Sequence, residues 1–182
     1  MKPDLKNALK TLSEASFPEM SDKDWMDVAL KLAKRAASKG DVPVGALVVK
    51  SGKLLSWGYN EREVLGTSLG HAECMAIHRA NRKLGSWRLE ECVLYVTLEP
   101  CLMCAGAIVQ ARIPKVVFGA TDPKAGAVTS LYQILQDTRL NHRADVQGGV
   151  LSDECGKILK DFFKKRRAEK KIEKEKKEKL DE

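Results

Sequence analysis

Two short stretches hold the residues best able to do chemistry: His71-Ala72-Glu73, and Pro100-Cys101-Leu102-Met103-Cys104 about thirty residues further on. Histidine nitrogen and cysteine thiolate are the usual zinc ligands, and His71, Cys101 and Cys104 supply three. Three protein ligands leave a fourth tetrahedral position for water, which marks a catalytic rather than a structural site. Zinc in such a site lowers the pKa of its water to about 7, so a nucleophile is available at neutral pH. Glu73, two residues after His71, is placed to take a proton from that water and pass it to a leaving group. Either stretch alone is a weak signal, since a lone Cys-x-x-Cys is also a redox pair or half of a structural zinc site. In this order and at this spacing, the two together are a strong one.

Positioning these residues falls to alternating strands and helices. Ser21-Asp22-Lys23-Asp24 resembles a capping box, and Trp25, Val28, Ala29, Leu32, Ala33 and Ala36 follow at helical spacing up to Gly40. Val44–Val49 and Lys53–Trp57 read as strands joined by a tight turn at Lys50-Ser51-Gly52. An irregular loop with Gly66 and Gly70 leads to a helix over His71–Leu84. After a strand at Val93–Val96, Pro100 suits the first turn of a helix that carries Cys101 and Cys104 on one face, three residues apart. A strand at Val116–Phe118, a short helix over Ser130–Gln136, a strand over Val146–Leu151 and a long helix from Asp153 to about Lys177 complete the reading. A helix between the third and fourth strands, and another between the fourth and fifth, would make those pairs parallel. The pattern is a three-layer α/β fold.

A chain of 182 residues suits one core. The expected division is an N-terminal extension over 1–20, a catalytic domain over 21–163 and a charged tail over 164–182. There is no run of eighteen apolar residues and no apolar stretch near the start, so neither a membrane span nor a secretory signal is expected. Five cysteines, two of them in one Cys-x-x-Cys, argue for a reducing compartment, hence the cytoplasm. Cys74, Cys92 and Cys155 fall in apolar patterns and read as small buried hydrophobes. Trp25, Trp57 and Trp87 read as core. The tail holds ten basic and six acidic residues, which is +4 of the chain's net +7. That balance permits a polyanionic partner such as RNA, although a mixed-sign tail is more often a solvated helix.

His-x-Glu followed by Pro-Cys-x-x-Cys resembles the zinc-dependent deaminases. Further segments narrow the resemblance: Val42-Pro43-Val44-Gly45-Ala46, Asn60 upstream of His71, Tyr95 to Glu99 running into Pro100, Cys104-Ala105-Gly106-Ala107, and Val117 to Asp122. Asn141-His142-Arg143 and Asp161-Phe162-Phe163 followed by Lys164, Lys165, Arg166 and Arg167 belong to the same set. Together, over roughly Asp24 to Arg167, they resemble the bacterial tRNA-specific adenosine deaminases. The resemblance implies a cytidine-deaminase-like α/β/α fold around a mixed five-stranded sheet. It implies hydrolysis of the wobble adenosine of a tRNA anticodon to inosine, with one zinc per chain on His71, Cys101 and Cys104 and with Glu73 as general acid/base. By the same resemblance Asn60 hydrogen-bonds the purine, Val44 packs against it, and Asp122 contacts the ribose–phosphate. Phe163 and the basic residues after it border the RNA. The partners implied are a tRNA anticodon stem-loop and a second copy of the chain.

Two other classes compete. A free-base deaminase acting on guanine or cytosine would keep the zinc site and lack a basic anticodon surface. A non-catalytic RNA-binding subunit would normally have lost the glutamate, and Glu73 is present.

Overall fold

The computed structural model describes residues 3–178; the outermost parts of the expected extension and tail, residues 1–2 and 179–182, lie outside the described residues. Strand β1 (Gly45–Lys50) and strand β2 (Lys53–Tyr59) form the antiparallel hairpin expected from the sequence. Ser51 and Gly52 both hold positive φ, 51° and 68°, the conformation that lets a two-residue turn match the twist of its strands. Strand β3 (Cys92–Leu98) pairs antiparallel with β1 on its other side. Strands β4 (Lys115–Ala120) and β5 (Asp145–Gln147) then add in parallel, giving the order β2-β1-β3-β4-β5.

Helices cover both faces. On one lie α1 (Pro3–Glu14), α2 (Asp22–Ser38) and the first part of α6 (Ser152–Glu178); on the other lie α4 (Ala72–Leu84) and α5 (Leu102–Ala111). A one-turn helix, α3 (Arg62–Leu65), interrupts the loop before His71. Each face has its own apolar core: Ile77, Leu94, Ile108 and Phe118 on the α4–α5 side, Trp25, Leu32, Leu47 and Tyr95 on the other. The capping box at Ser21 and Asp24 is present, with Ser21 Oγ accepting from Asp24 N and the Asp24 carboxylate accepting from Ser21 N at 2.8 Å.

Within the expected N-terminal extension, α1 lies on β2, with Leu9 in the core and Leu5 and Leu12 packed against it. Several expectations need correcting. Pro100 precedes the helix instead of opening it, because Cys101 is the N-cap of α5. The expected helix over Ser130–Gln136 shrinks to a 3-10 turn at Ile134–Gln136. The N–H groups of Leu131 and Ile134 bond back to Gly126 and Ala127, which holds the segment against the preceding loop. The parallel β4–β5 pair therefore lacks a true crossover helix. The last strand stops at Gln147, not Leu151, since Gly149 and Leu151 both turn to positive φ. Trp87, expected in the core, is 56 % exposed, with the guanidinium groups of Arg88 and Arg112 4.7 Å and 5.8 Å from its ring centre.

Candidate metal centre and base pocket

His71 and Cys101 are each the N-cap residue of a helix, α4 and α5, and neither side chain caps its own helix. Both side chains are left free to face each other, with two helix N-termini directed at the space between them. Helix N-termini favour anions such as thiolates. His71 Nδ1 lies 3.7 Å from Cys101 Sγ and 3.5 Å from Cys104 Sγ, and the three ligand atoms all fall within 4.8 Å of one another. Zn–N near 2.0–2.1 Å and Zn–S near 2.3 Å in a tetrahedral site call for separations of about this size. The donor set and its spacing therefore fit a zinc ion.

Glycine makes this approach possible. A Cβ at Gly58 in β2 would collide with the backbone of Ala72 and Ala76, so its absence lets the first turns of α4 lie directly on the sheet. That turn carries His71 and Glu73.

The protonation pattern suits a metal site. The Cys101 thiol is lowered to about 3, first by its hydrogen bond with Cys104; His71 adds to the effect, and burial opposes it. Cys104 is pushed up by the hydrogen bond with Cys101, by Cys74 and by burial. A divalent ion binds thiolates, so its binding here would release any proton these sulfurs carry. Glu73 is buried, and burial raises its pKa. A carboxyl group held nearer neutrality can both accept and return a proton at physiological pH.

A cavity of about 210 Å³ opens over the cluster, lined by Asp41, Val44, Asn60, His71, Glu73, Cys101 and Asp122 among others. Seven of the eight expected site residues thus come together here, with Cys104 fully buried in the metal cluster next to the cavity. Asn60 N–H bonds to the Val44 carbonyl at 2.9 Å, which ties the two expected base contacts to each other. Asp122 also has a turn role, its Oδ1 accepting from the N–H groups of Lys124 and Ala125. Phe163, on α6, is 44 % exposed and does not line this cavity. Phe162 beside it is half-buried, as adjacent residues on one helix require.

Sequence reasoning missed three residues. Glu99, at the end of β3, is buried and accepts from the N–H groups of Asp122, Val128, Thr129 and Ser130 and from the hydroxyls of Thr129 and Ser130. Burial alone would raise its pKa, but these bonds, led by that of the Ser130 hydroxyl, lower it to about 2. Glu99 therefore holds the loop that carries Asp122. An acidic residue closing an otherwise apolar strand was the available signal. Asp41 is a second buried carboxylate, bonded to Asn60. Cys74, read as a buried hydrophobe, is only half-buried, and its Sγ lies 3.9 Å from that of Cys104, beside the cluster. Cys92 and Cys155 are buried as expected.

Comparison with known proteins places this architecture. The family model described as MafB19-like deaminase matches residues 20–167. A tRNA-specific adenosine deaminase of Bacillus subtilis is 50 % identical over 150 residues, covering 82 % of this chain and 93 % of the relative. A solved structure from studies of A-to-I editing by tRNA:A34 deaminases at the wobble position of transfer RNA is 40 % identical. It superposes with a TM-score of 0.72 over 74 % of this chain and 98 % of that one. A guanine deaminase of Nitrosomonas europaea reaches a TM-score of 0.73 over 89 % of this chain and 93 % of that one, but at 22 % identity it shares the fold alone. With half of the 150 aligned residues identical to those of the Bacillus relative along nearly that protein's whole length, this chain belongs to the tRNA-specific adenosine deaminase family.

Proposed function

We propose that this chain hydrolyses adenosine at the wobble position of a tRNA anticodon, releasing ammonia and leaving inosine. The observation that carries the reading is a His-Cys-Cys cluster beside a buried glutamate that is not part of it, both opening on one cavity. His71, Cys101 and Cys104 would hold the metal. Zinc, when bound, supplies the Lewis acid that makes water a nucleophile at neutral pH.

The chain's own residues do the rest. Glu73 takes a proton from the attacking water and delivers it to ring nitrogen N1 as the oxygen adds to C6, then takes the remaining proton from the new C6 hydroxyl and passes it to the departing amine. The C6–N bond breaks, and water and adenosine become inosine and ammonia. Val44 packs against the base and Asn60 hydrogen-bonds it. Asp122, on the loop held by Glu99, meets the ribose–phosphate at the cavity mouth. An anticodon loop supplies an unstacked base at little cost. Phe163 and Lys164, Lys165, Arg166 and Arg167 lie on α6 and offer the RNA an aromatic surface and positive charge.

Among the described residues no helix is long and apolar enough to cross a membrane. The substrate class and the free cysteines favour a cytoplasmic enzyme. We further propose a homodimer. Light scattering at micromolar concentration is expected to give twice the chain mass, and a single chain-mass peak would refute the dimer.

The test of function sets a stem-loop RNA with adenosine at the wobble position beside free guanine and free cytosine. Inosine at that position alone is expected. Ammonia from a free base with no inosine in the RNA would retain the zinc chemistry and reject the tRNA substrate.

A further inference from the structure

Asp41 is 1 % exposed and lines the same cavity as Asn60, His71 and Glu73. A carboxylate so far from water is costly unless donors meet it. Three do. Asn60 Nδ2 donates to Oδ1 at 3.3 Å, Glu63 N to Oδ1 at 3.1 Å and Val64 N to Oδ2 at 3.2 Å. The last two are first-turn N–H groups of α3, which no carbonyl of that helix can satisfy. They fix the carboxylate from one side, and Asn60 meets it from another.

The bond to Asn60 decides which way that amide faces. The two ends of an amide differ little in shape, so partners set its orientation. A carboxylate accepts hydrogen bonds and offers none. Asp41 therefore takes the NH2 end of Asn60 and refuses the carbonyl end. The Asn60 backbone is held in turn by the Val44 carbonyl. What remains for the cavity is the second N–H of Nδ2 and the oxygen Oδ1, each in a set place.

Adenine has a matching edge. C6 is flanked by N1 on one side and, across C5, by N7 on the other. If Glu73 serves N1, the free acceptor on the opposite flank is N7. An N–H aimed there is attractive, whereas a carbonyl oxygen would be repelled. We propose that Asp41 is a positioning residue that fixes the Asn60 amide with an N–H toward purine N7. This orients C6 and favours a purine over cytosine, whose ring has no atom at that place. The proposal rests on the wobble-adenosine reading above and adds the determinant of base orientation.

The test compares adenosine with 7-deazaadenosine at the wobble position of one stem-loop RNA, measuring kcat/KM on each. The deaza base lacks only the N7 acceptor. The wild-type chain is expected to lose about tenfold on it, the worth of one well-placed hydrogen bond. Asp41→Asn can meet either end of Asn60, so its two rates should agree within about twofold, as should those of Asn60→Ala. Adding Asn60→Ala to Asp41→Asn should change the ratio no further. Each ratio is taken within one preparation, so the fraction of active protein cancels and a merely structural role for Asp41 would leave it at the wild-type value. Should Asp41→Asn not fold, Asp41→Ser, also unable to hold the amide one way round, is read in the same manner. A tenfold ratio that persists in the Asp41 variants, or a wild-type chain indifferent to N7, overturns the proposal. A wild-type chain that makes no inosine from adenosine in the RNA overturns the wobble-adenosine reading, and the proposal with it.

Discussion

Nδ1 of His71 and Sγ of Cys101 sit 3.7 Å apart because each belongs to the N-cap residue of a different helix, and the two caps face one another. The rest of the site follows from that meeting. Cys104 is one turn into α5 and Glu73 one residue into α4, so a single approach of two helix ends brings all four residues together. It also points two positive helix ends at the place where anionic ligands gather.

Glu73 is not part of the ligand cluster, so its loss should separate chemistry from metal binding. Glu73→Gln is expected to lower inosine formation about 10²–10⁴-fold, the usual worth of a general acid/base. Elemental analysis should still find one zinc per chain. Loss of the metal along with the activity would make Glu73 a ligand.

Removing a ligand should do the reverse. Cys104→Ser replaces a fully buried sulfur in the cluster, and zinc content should fall well below one per chain in a protein that still folds. A chelator is expected to abolish wild-type turnover, and added zinc to restore it. Full activity after chelation, with metal absent by elemental analysis, would refute a catalytic ion.

Glu99 predicts an acid dependence of stability. Its folded pKa, about 2, lies below the ordinary carboxylate value of 4.5, so its contribution is present above that value and is lost as pH falls toward 2. Glu99→Gln leaves buried N–H donors facing an amide and should cost about 1–3 kcal/mol at pH 7 in urea unfolding. The difference between wild type and variant should shrink between pH 5 and pH 3. A constant difference over that range would show that the carboxylate charge is not what holds the loop.

Gly58 tests the helix–sheet contact. Gly58→Ala places a methyl against the backbone of Ala72 and Ala76 and should push α4 from β2, at about 1–3 kcal/mol with weaker zinc binding. Gly66→Ala meets open space and only the strain of φ 60°, so it should cost about 1–2 kcal/mol and leave zinc affinity unchanged. Equal loss of zinc affinity in both would refute a specific role for the Gly58 contact.

The His-Cys-Cys cluster, the glutamate beside it, the hairpin and the capping box were legible because each is local. His-x-Glu, Cys-x-x-Cys, the turn at Ser51-Gly52 and the Ser21–Asp24 box all lie within a few residues, and the strands and helices carry a period. The tertiary structure alone decided that Asp41 meets Asn60, that Glu99 gathers the N–H groups of residues 122–130, and that Cys74 lies beside Cys104. Those partners are 19 to 31 positions apart and follow no period. The crossover to β5, the shortened last strand and the exposed Trp87 escaped prediction for a related reason. Where a segment ends, and which side chains it leaves in water, depends on neighbours that only the folded chain brings near. Local chemistry thus named what the site contains, and long-range hydrogen bonds between buried polar groups set how its parts are held.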